Sequence, residues 1–226
     1  MKKQTLSQKI NIIRASVMGA NDGIVSVAGI VIGVAGAAES SFAIFISGIA
    51  GMLAGTVSMA MGEYVSVNTE KDSQRRAVMT QKKNLRNNYN QEYTFVKNKY
   101  MNSGIKEELA NRATNEMMTS NPLVTTVRER FGFNVNDFTS PYAAAIASML
   151  SFPTGSVLPL AAILLSPANM RIIYTFIAVL IALAITGYVA ALIGNANKIK
   201  AMIRNVISGI FTMVVLYVIG NIVHML

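Results

Sequence analysis

Residues 41–67 read SFAIFISGIAGMLAGTVSMAMGEYVSV, a run of 27 residues in which Glu63 is the single formal charge. About 20 apolar residues in a helix cross the ~30 Å of bilayer hydrocarbon, so this run is long enough to span a membrane. Working outward toward the N-terminus, the stretch from about Val17 to Ala38, VMGANDGIVSVAGIVIGVAGAA, carries Asp22 as its only charge. The short turn at Ala38-Glu39-Ser40-Ser41 predicts that the two runs form an antiparallel helical hairpin.

Three further passages lie toward the C-terminus. Asp137 and Arg171 enclose 33 residues without a formal charge, and Arg171 and Lys198 enclose another 26. The expected spans are about Ser140 to Leu165, Ile172 to Ile193 and Ile203 to Val223. Ser166-Pro167-Ala168-Asn169 and Gly194-Asn195-Ala196-Asn197-Lys198 serve as their turns. Within the third span Pro153 removes a backbone donor, and a local interruption of the helix is expected there.

Composition supports the same class. Of 226 residues, 52% are apolar and 14% charged, against roughly 25% charged in ordinary globular domains. There is no cysteine and one histidine, His224, which excludes disulfides, thiolate ligands and polyhistidine metal sites. A metal would have to be held by oxygen ligands and by some of the 14 methionines. No phosphate-binding glycine loop and no constellation of nucleophile, base and orienting residue is present, so the chain does not read as an enzyme.

Charge sets the orientation. Lys2, Lys3, Lys9 and Arg14 precede the first span, and Lys198, Lys200 and Arg204 follow the fourth, whereas the opposite connections carry Glu39 and Arg171. The positive-inside tendency then puts the N-terminus in the cytoplasm and, with five spans, the C-terminus outside a cell membrane. This distribution accounts for the net charge of +9 without a nucleic-acid partner. The opening Met-Lys-Lys resembles a signal peptide, but the apolar run holds Asp22 and continues into a hairpin, so retention is expected.

The expected architecture is an all-α integral membrane protein. Residues 1–67 form a cytoplasmic tail and two transmembrane helices, residues 68–137 a cytoplasmic helical insertion, and residues 138–226 the third to fifth transmembrane helices. The insertion holds 12 Lys/Arg and eight Asp/Glu. One or more amphipathic helices are expected through EKDSQRRAVMTQKKNLRNNYNQEYTFVKNKY, with a break at Asn102-Ser103-Gly104. Another follows through IKEELANRATNEMM, ended by Asn121-Pro122, and a short segment through LVTTVRERFG. Its basic, aromatic-bearing surface suits anionic lipid headgroups or a second copy of the chain.

Asp22 and Glu63 are the chemically informative residues, because a carboxylate within a membrane is costly unless water, a cation, a proton or a polar partner compensates it. Either belongs to an ion path or to a structural pairing, and no basic residue stands inside the hydrophobic passages before Arg171. Met59 lies four positions from Glu63, on the same helical face. Carboxylate oxygen and thioether sulfur together suit a divalent transition metal, and a lipid-facing or interhelical spacer is the other reading of Met59. Met61 falls about 200° around the helix from Met59 and makes a poorer partner. In the insertion, Glu92, Glu116, Met117 and Met118 are further candidate ligands, though adjacent methionines face different directions. Gly51 and Gly55 provide a small surface for close helix packing.

The segments RASVMGANDGIVSVAGIVIGVAGA (14–37), GIAGMLAGTVSMAMGEYVSV (48–67), SPYAAAIASMLSFPTGSVLPL (140–160) and GIFTMVVLYVIG (209–220) together resemble, in order and over nearly the whole chain, the vacuolar iron transporter family. The resemblance implies a homodimer that transports iron(II), often with manganese(II), against protons, with cytosolic helices inserted between the second and third spans. It implies that Asp22 and Glu63 are carboxylates of the translocation path and Met59 its sulfur ligand. It also implies that Gln81, Asn84, Glu92 and Phe95 stand where the family's metal-binding insertion has recurring glutamates, and Asn121 where another acid is expected. The alternative function is a non-transporting membrane metal sensor or scaffold that uses the insertion to recruit a partner.

Overall fold

The computed structural model describes residues 6–37, 40–135 and 138–225. Lys2, Lys3, Glu39 and Asp137, which enter the charge argument, lie outside the described residues. Among the described residues there are eight helices and no strand: α1 (Leu6–Gly36), α2 (Ser41–Asn87), α3 (Tyr89–Asn102), α4 (Glu107–Ser120), α5 (Pro122–Phe131), α6 (Pro141–Leu165), α7 (Arg171–Ile193) and α8 (Lys198–Met225). Five of them, α1, α2, α6, α7 and α8, are long and apolar enough to cross a membrane. The described residues are thus all-helical, with five helices of membrane-spanning length.

Two compact units divide the chain. The first consists of Ile10–Val65 with the residues from Pro141 onward. Within it α1 is the most buried of the five long apolar helices. Ile24, Val27, Ala28, Val31, Ile32 and Ala35 are all nearly inaccessible, so α1 is walled in on most sides. Its small residues permit this. A Cβ on Gly23 would land on the carbonyl of Phe152, and one on Gly155 on the carbonyl of Ala20, so α1 and α6 meet backbone to backbone. Ser148 and Ser156 donate across this contact to the carbonyls of Ala15 and Gly23, each at 3.3 Å. Further along, Gly33 of α1 and Gly220 of α8 meet in the same way.

Two helices run beyond the expected membrane passages, and one expectation is corrected. The first helix begins at Leu6, ahead of the passage expected from about Val17, and Arg14 therefore lies on the same helix as Asp22. The second continues to Asn87 as a single helix of 47 residues, since no glycine or proline stands between Glu63 and Gly104 to stop it. Pro153 does not interrupt α6, which runs unbroken through Pro153 and Pro159. Hydroxyls nearby bond back to carbonyls of the preceding turn, Thr154 to Ser151 at 2.6 Å and Ser156 to Phe152 at 2.8 Å. The helix starts follow local capping: Ser40 Oγ accepts from the amide of Ala43, and Asn197 Oδ1 from that of Lys200.

The second unit holds Ser66–Ser140 and the described N-terminal residues up to Lys9. The break at Asn102-Ser103-Gly104 occurs as expected, with Gly104 at φ 89°, and a further break at Asn88 separates α2 from α3. Tyr89, Tyr93 and Tyr100 tie α3 to α4, their hydroxyls reaching the carbonyls of Met118 and Asn111 and the sulfur of Met117. Asn121 and Pro122 end α4 and start α5: the Asn121 side chain accepts from the amide of Val124, and Pro122 takes the first-turn position. Gly132, at φ 75°, closes α5 in a left-handed cap.

Candidate metal site

The site is built from one face of α1 and one of α2. On α1, Arg14, Met18, Asp22 and Ser26 recur every four residues; on α2, Glu63, Met59 and Gly55 recur at the same interval, so each set forms a stripe. The stripes meet in antiparallel register, with Arg14 against Glu63 at 3.3 Å and Ile30 against Gly51. Between these points Asp22 and Met59 line two adjoining clefts. One, of about 420 Å³, adds Ser26, Ser58 and Phe152 to its walls; the other, of about 290 Å³, adds Met18, Asn21 and Ser208.

Glycine makes the larger cleft. Gly55 sits against the Phe152 ring, where a Cβ would collide with it, and Gly51 leaves room beside Ile30. The small-residue surface read from the sequence thus packs against α1 and α6 of the same chain. Asp22 is exposed at the cleft, and Ser26 Oγ donates to its Oδ1 at 2.8 Å. The donors facing this space are one carboxylate, two thioethers and several hydroxyls. That mixture of hard oxygen and soft sulfur fits a divalent transition metal better than magnesium or calcium, which favour oxygen alone.

Glu63 is placed differently. It is 8% exposed and ion-paired with Arg14, whose side chain is 49% exposed. The basic partner comes from just before the expected first passage: Arg14, on the same stripe of α1 as Asp22 and two turns from it, gives Glu63 the structural pairing that was one of its two readings. Asn21 Oδ1 accepts from Asn205 at 3.0 Å and Thr186 at 3.3 Å, tying α1 to α8 and α7. Met18, Ser26, Asn205 and Ser208 were not singled out as site residues from the sequence. For Met18 and Ser26 the signal was there, since both lie four positions from Asp22.

In the insertion, Gln81, Glu92 and Phe95 do converge. Gln81 Nε2 donates to Glu92 Oε2 at 2.6 Å, and Arg130 donates to the same oxygen at 2.9 Å while its guanidinium stacks 3.9 Å above the Phe95 ring. Glu92 is thus already neutralised by a protein cation. Glu116 is exposed, Met117 sulfur accepts from Tyr100, and Met118 is buried in the helix packing; the two methionines do not share a face. Among the described residues no three aspartate, glutamate or histidine side chains gather into one group. Nearby, Glu129 is drawn below the ordinary carboxylate range: burial pushes it up, but hydrogen bonds from Arg128, Lys99 and Tyr100 outweigh that.

Comparison with known proteins fits this geometry. The VIT family profile matches residues 13–221. The chain belongs to the VIT family. A vacuolar iron transporter of Acanthamoeba castellanii is 32% identical over 211 residues, covering 92% of this chain and 77% of that protein. Vacuolar iron transporter homolog 2.1 of Arabidopsis thaliana is 30% identical over 203 residues, 89% of this chain and 77% of the relative. Vacuolar iron transporter homolog 1 of Oryza sativa subsp. japonica is 31% identical over 206 residues, 91% and 71%. The VIT family consists of transporters rather than enzymes, and the match takes in both stripes of the site from Arg14 to Glu63.

Proposed function

We propose that this VIT-family chain is a proton-coupled transporter that moves iron(II), manganese(II) or both out of the cytoplasm. The observation that carries the reading is the convergence of Asp22 and Met59 on two adjoining clefts within a bundle of membrane-length helices. A hydrated cation entering there exchanges water for the Asp22 carboxylate, the Met59 thioether and neighbouring hydroxyls. Protons arriving from the opposite side compete for the same carboxylates and release the metal, which couples the two flows without covalent chemistry.

The reading includes a homodimer in the cell membrane, with the N-terminus and the insertion cytoplasmic and the C-terminus exterior. Asp22 is exposed on the single chain, and a charged side chain turned to lipid costs roughly 2.5–3.5 kcal/mol at mid-membrane. A second copy laid over this face removes that cost and closes the cleft into a path. The basic residues Lys9, Lys198, Lys200 and Arg204 support the orientation. In the insertion, the Glu92–Arg130 pair supports a role in shaping access to the path rather than in storing metal.

Purified protein in sealed vesicles, given external manganese(II) and read by a trapped fluorescent chelator, tests the transport reading. Delivery to the interior well above that of empty vesicles is expected. Binding to protein vesicles with no delivery would favour the sensor or scaffold reading, since binding alone leaves the trapped compartment unchanged.

A further inference from the structure

Arg14 makes three kinds of contact. Its guanidinium donates to Glu63 Oε2 at 3.3 Å, to Met18 Sδ at 3.6 Å and to Asn11 Oδ1 at 2.9 and 3.2 Å. The first two acceptors, a carboxylate oxygen and a thioether sulfur, are the same pair of donor types that Asp22 and Met59 present four residues further along each helix. Arg14 is thus a tethered cation resting on ligands suited to a free one. Met18 belongs to both places, because it also walls the smaller cleft beside Asp22 and Met59.

We propose that Glu63 and Met18 form an outer cation site at the mouth of the path, which Arg14 fills in this state and an incoming divalent transition-metal ion takes over by displacing the guanidinium. The proposal rests on the transport reading. Glu63 is buried to 8% exposure and so needs a positive partner while it is ionised. Arginine does not lose its proton, so the exchange is one cation for another. Asn11, a turn earlier on α1, holds the guanidinium after release and keeps it close enough to return once the metal has moved to Asp22 and Met59. The sulfur of Met18 biases the exchange toward softer metals, while magnesium, which prefers oxygen and holds its water, displaces Arg14 poorly.

The test uses the full chain in lipid nanodiscs, with manganese(II) titrated by electron paramagnetic resonance and magnesium(II) as the hard-ion control. Removing the competitor in Arg14→Gln should tighten manganese binding by about tenfold, some 1.4 kcal/mol. Arg14→Lys should restore the weaker wild-type affinity, and Arg14→Gln combined with Glu63→Gln should abolish the gain. Manganese binding in Arg14→Gln no tighter than in wild type, or a gain that survives loss of the Glu63 charge, overturns the proposal. Met18→Leu is compared in the Arg14→Gln and the Arg14→Gln/Glu63→Gln backgrounds, because Met18 also walls the inner cleft: a several-fold loss of manganese affinity in the first but not the second supports the outer site, and an equal loss or no loss in both contradicts it. Because these are equilibrium affinities, the expected pattern in a protein that delivers no metal to vesicles would sink the transport reading and leave the outer site standing.

Discussion

Asp22 and Glu63 are two carboxylates in the same helical hairpin with opposite surroundings, and their substitutions should differ accordingly. Asp22 opens onto the clefts and is held by the Ser26 hydroxyl. Asp22→Asn keeps size and hydrogen bonding but removes the charge that balances a dication, so vesicle uptake of manganese(II) should fall at least about tenfold with normal folding. Uptake at the wild-type rate would remove Asp22 from the path. Met59→Leu keeps volume and loses sulfur. Its effect should be milder and selective, lowering iron(II) or manganese(II) uptake while leaving the apparent affinity for magnesium(II) as a competitor unchanged; an unchanged metal preference would return Met59 to a packing role.

Helix contacts in this protein depend on missing side chains. Gly155→Ala places a methyl group on the Ala20 carbonyl of α1, and backbone cannot swing away, so a loss of about 1–3 kcal/mol is expected. Gly62→Ala has nothing within 4 Å of the new carbon and should be neutral or stabilising by up to ~1 kcal/mol through helix propensity. Thermal unfolding in detergent compares the two, and equal midpoints would contradict the packing account. The five apolar helices were legible in the sequence because length and the absence of charge decide them. The continuation of α2 to Asn87 was less so, since its second half is polar and the deciding fact is the lack of any breaker. Pro153 misled for the converse reason: a breaker is present, yet α6 runs through it where the helix is packed backbone to backbone on α1 at Gly23 and Gly155. The partners of Glu63 and Glu92 were not legible at all. Arg14 and Arg130 lie 49 and 38 residues away in the chain, and no local spacing links them.

In the molecule as a whole, the proposed metal ligands lie on the α1–α2 hairpin, and Glu92 and Glu129 of the insertion are held in ion pairs. Glu92→Gln leaves Arg130 without its buried partner, a loss of roughly 3–5 kcal/mol when a pair is fully enclosed and less here because Arg130 is partly exposed. Hydrogen exchange across α3 and α5 should therefore speed up while the number of manganese ions bound by the intact protein stays the same. A clear drop in bound metal with unchanged exchange would restore the insertion as a capture site. Glu129 adds a pH dependence. Its carboxyl titrates lower in the folded insertion than in the unfolded chain, so its stabilisation is complete above the ordinary value of about 4.3. That contribution is lost as pH falls through the lower folded value. Exchange in α3 and α5 should accelerate over that acidic range in the wild type more than in Glu129→Gln, and identical pH profiles would contradict the assignment. The central claim is that protons drive metal through the hairpin. The most direct test loads vesicles of uniform protein orientation with equal manganese(II) inside and out and then acidifies one side. The account predicts net movement of manganese toward the acidic compartment, against the gradient that builds up, and its abolition by Asp22→Asn. Manganese that remains equal on both sides under the imposed pH gradient, in protein that passes the same ion downhill, would contradict it.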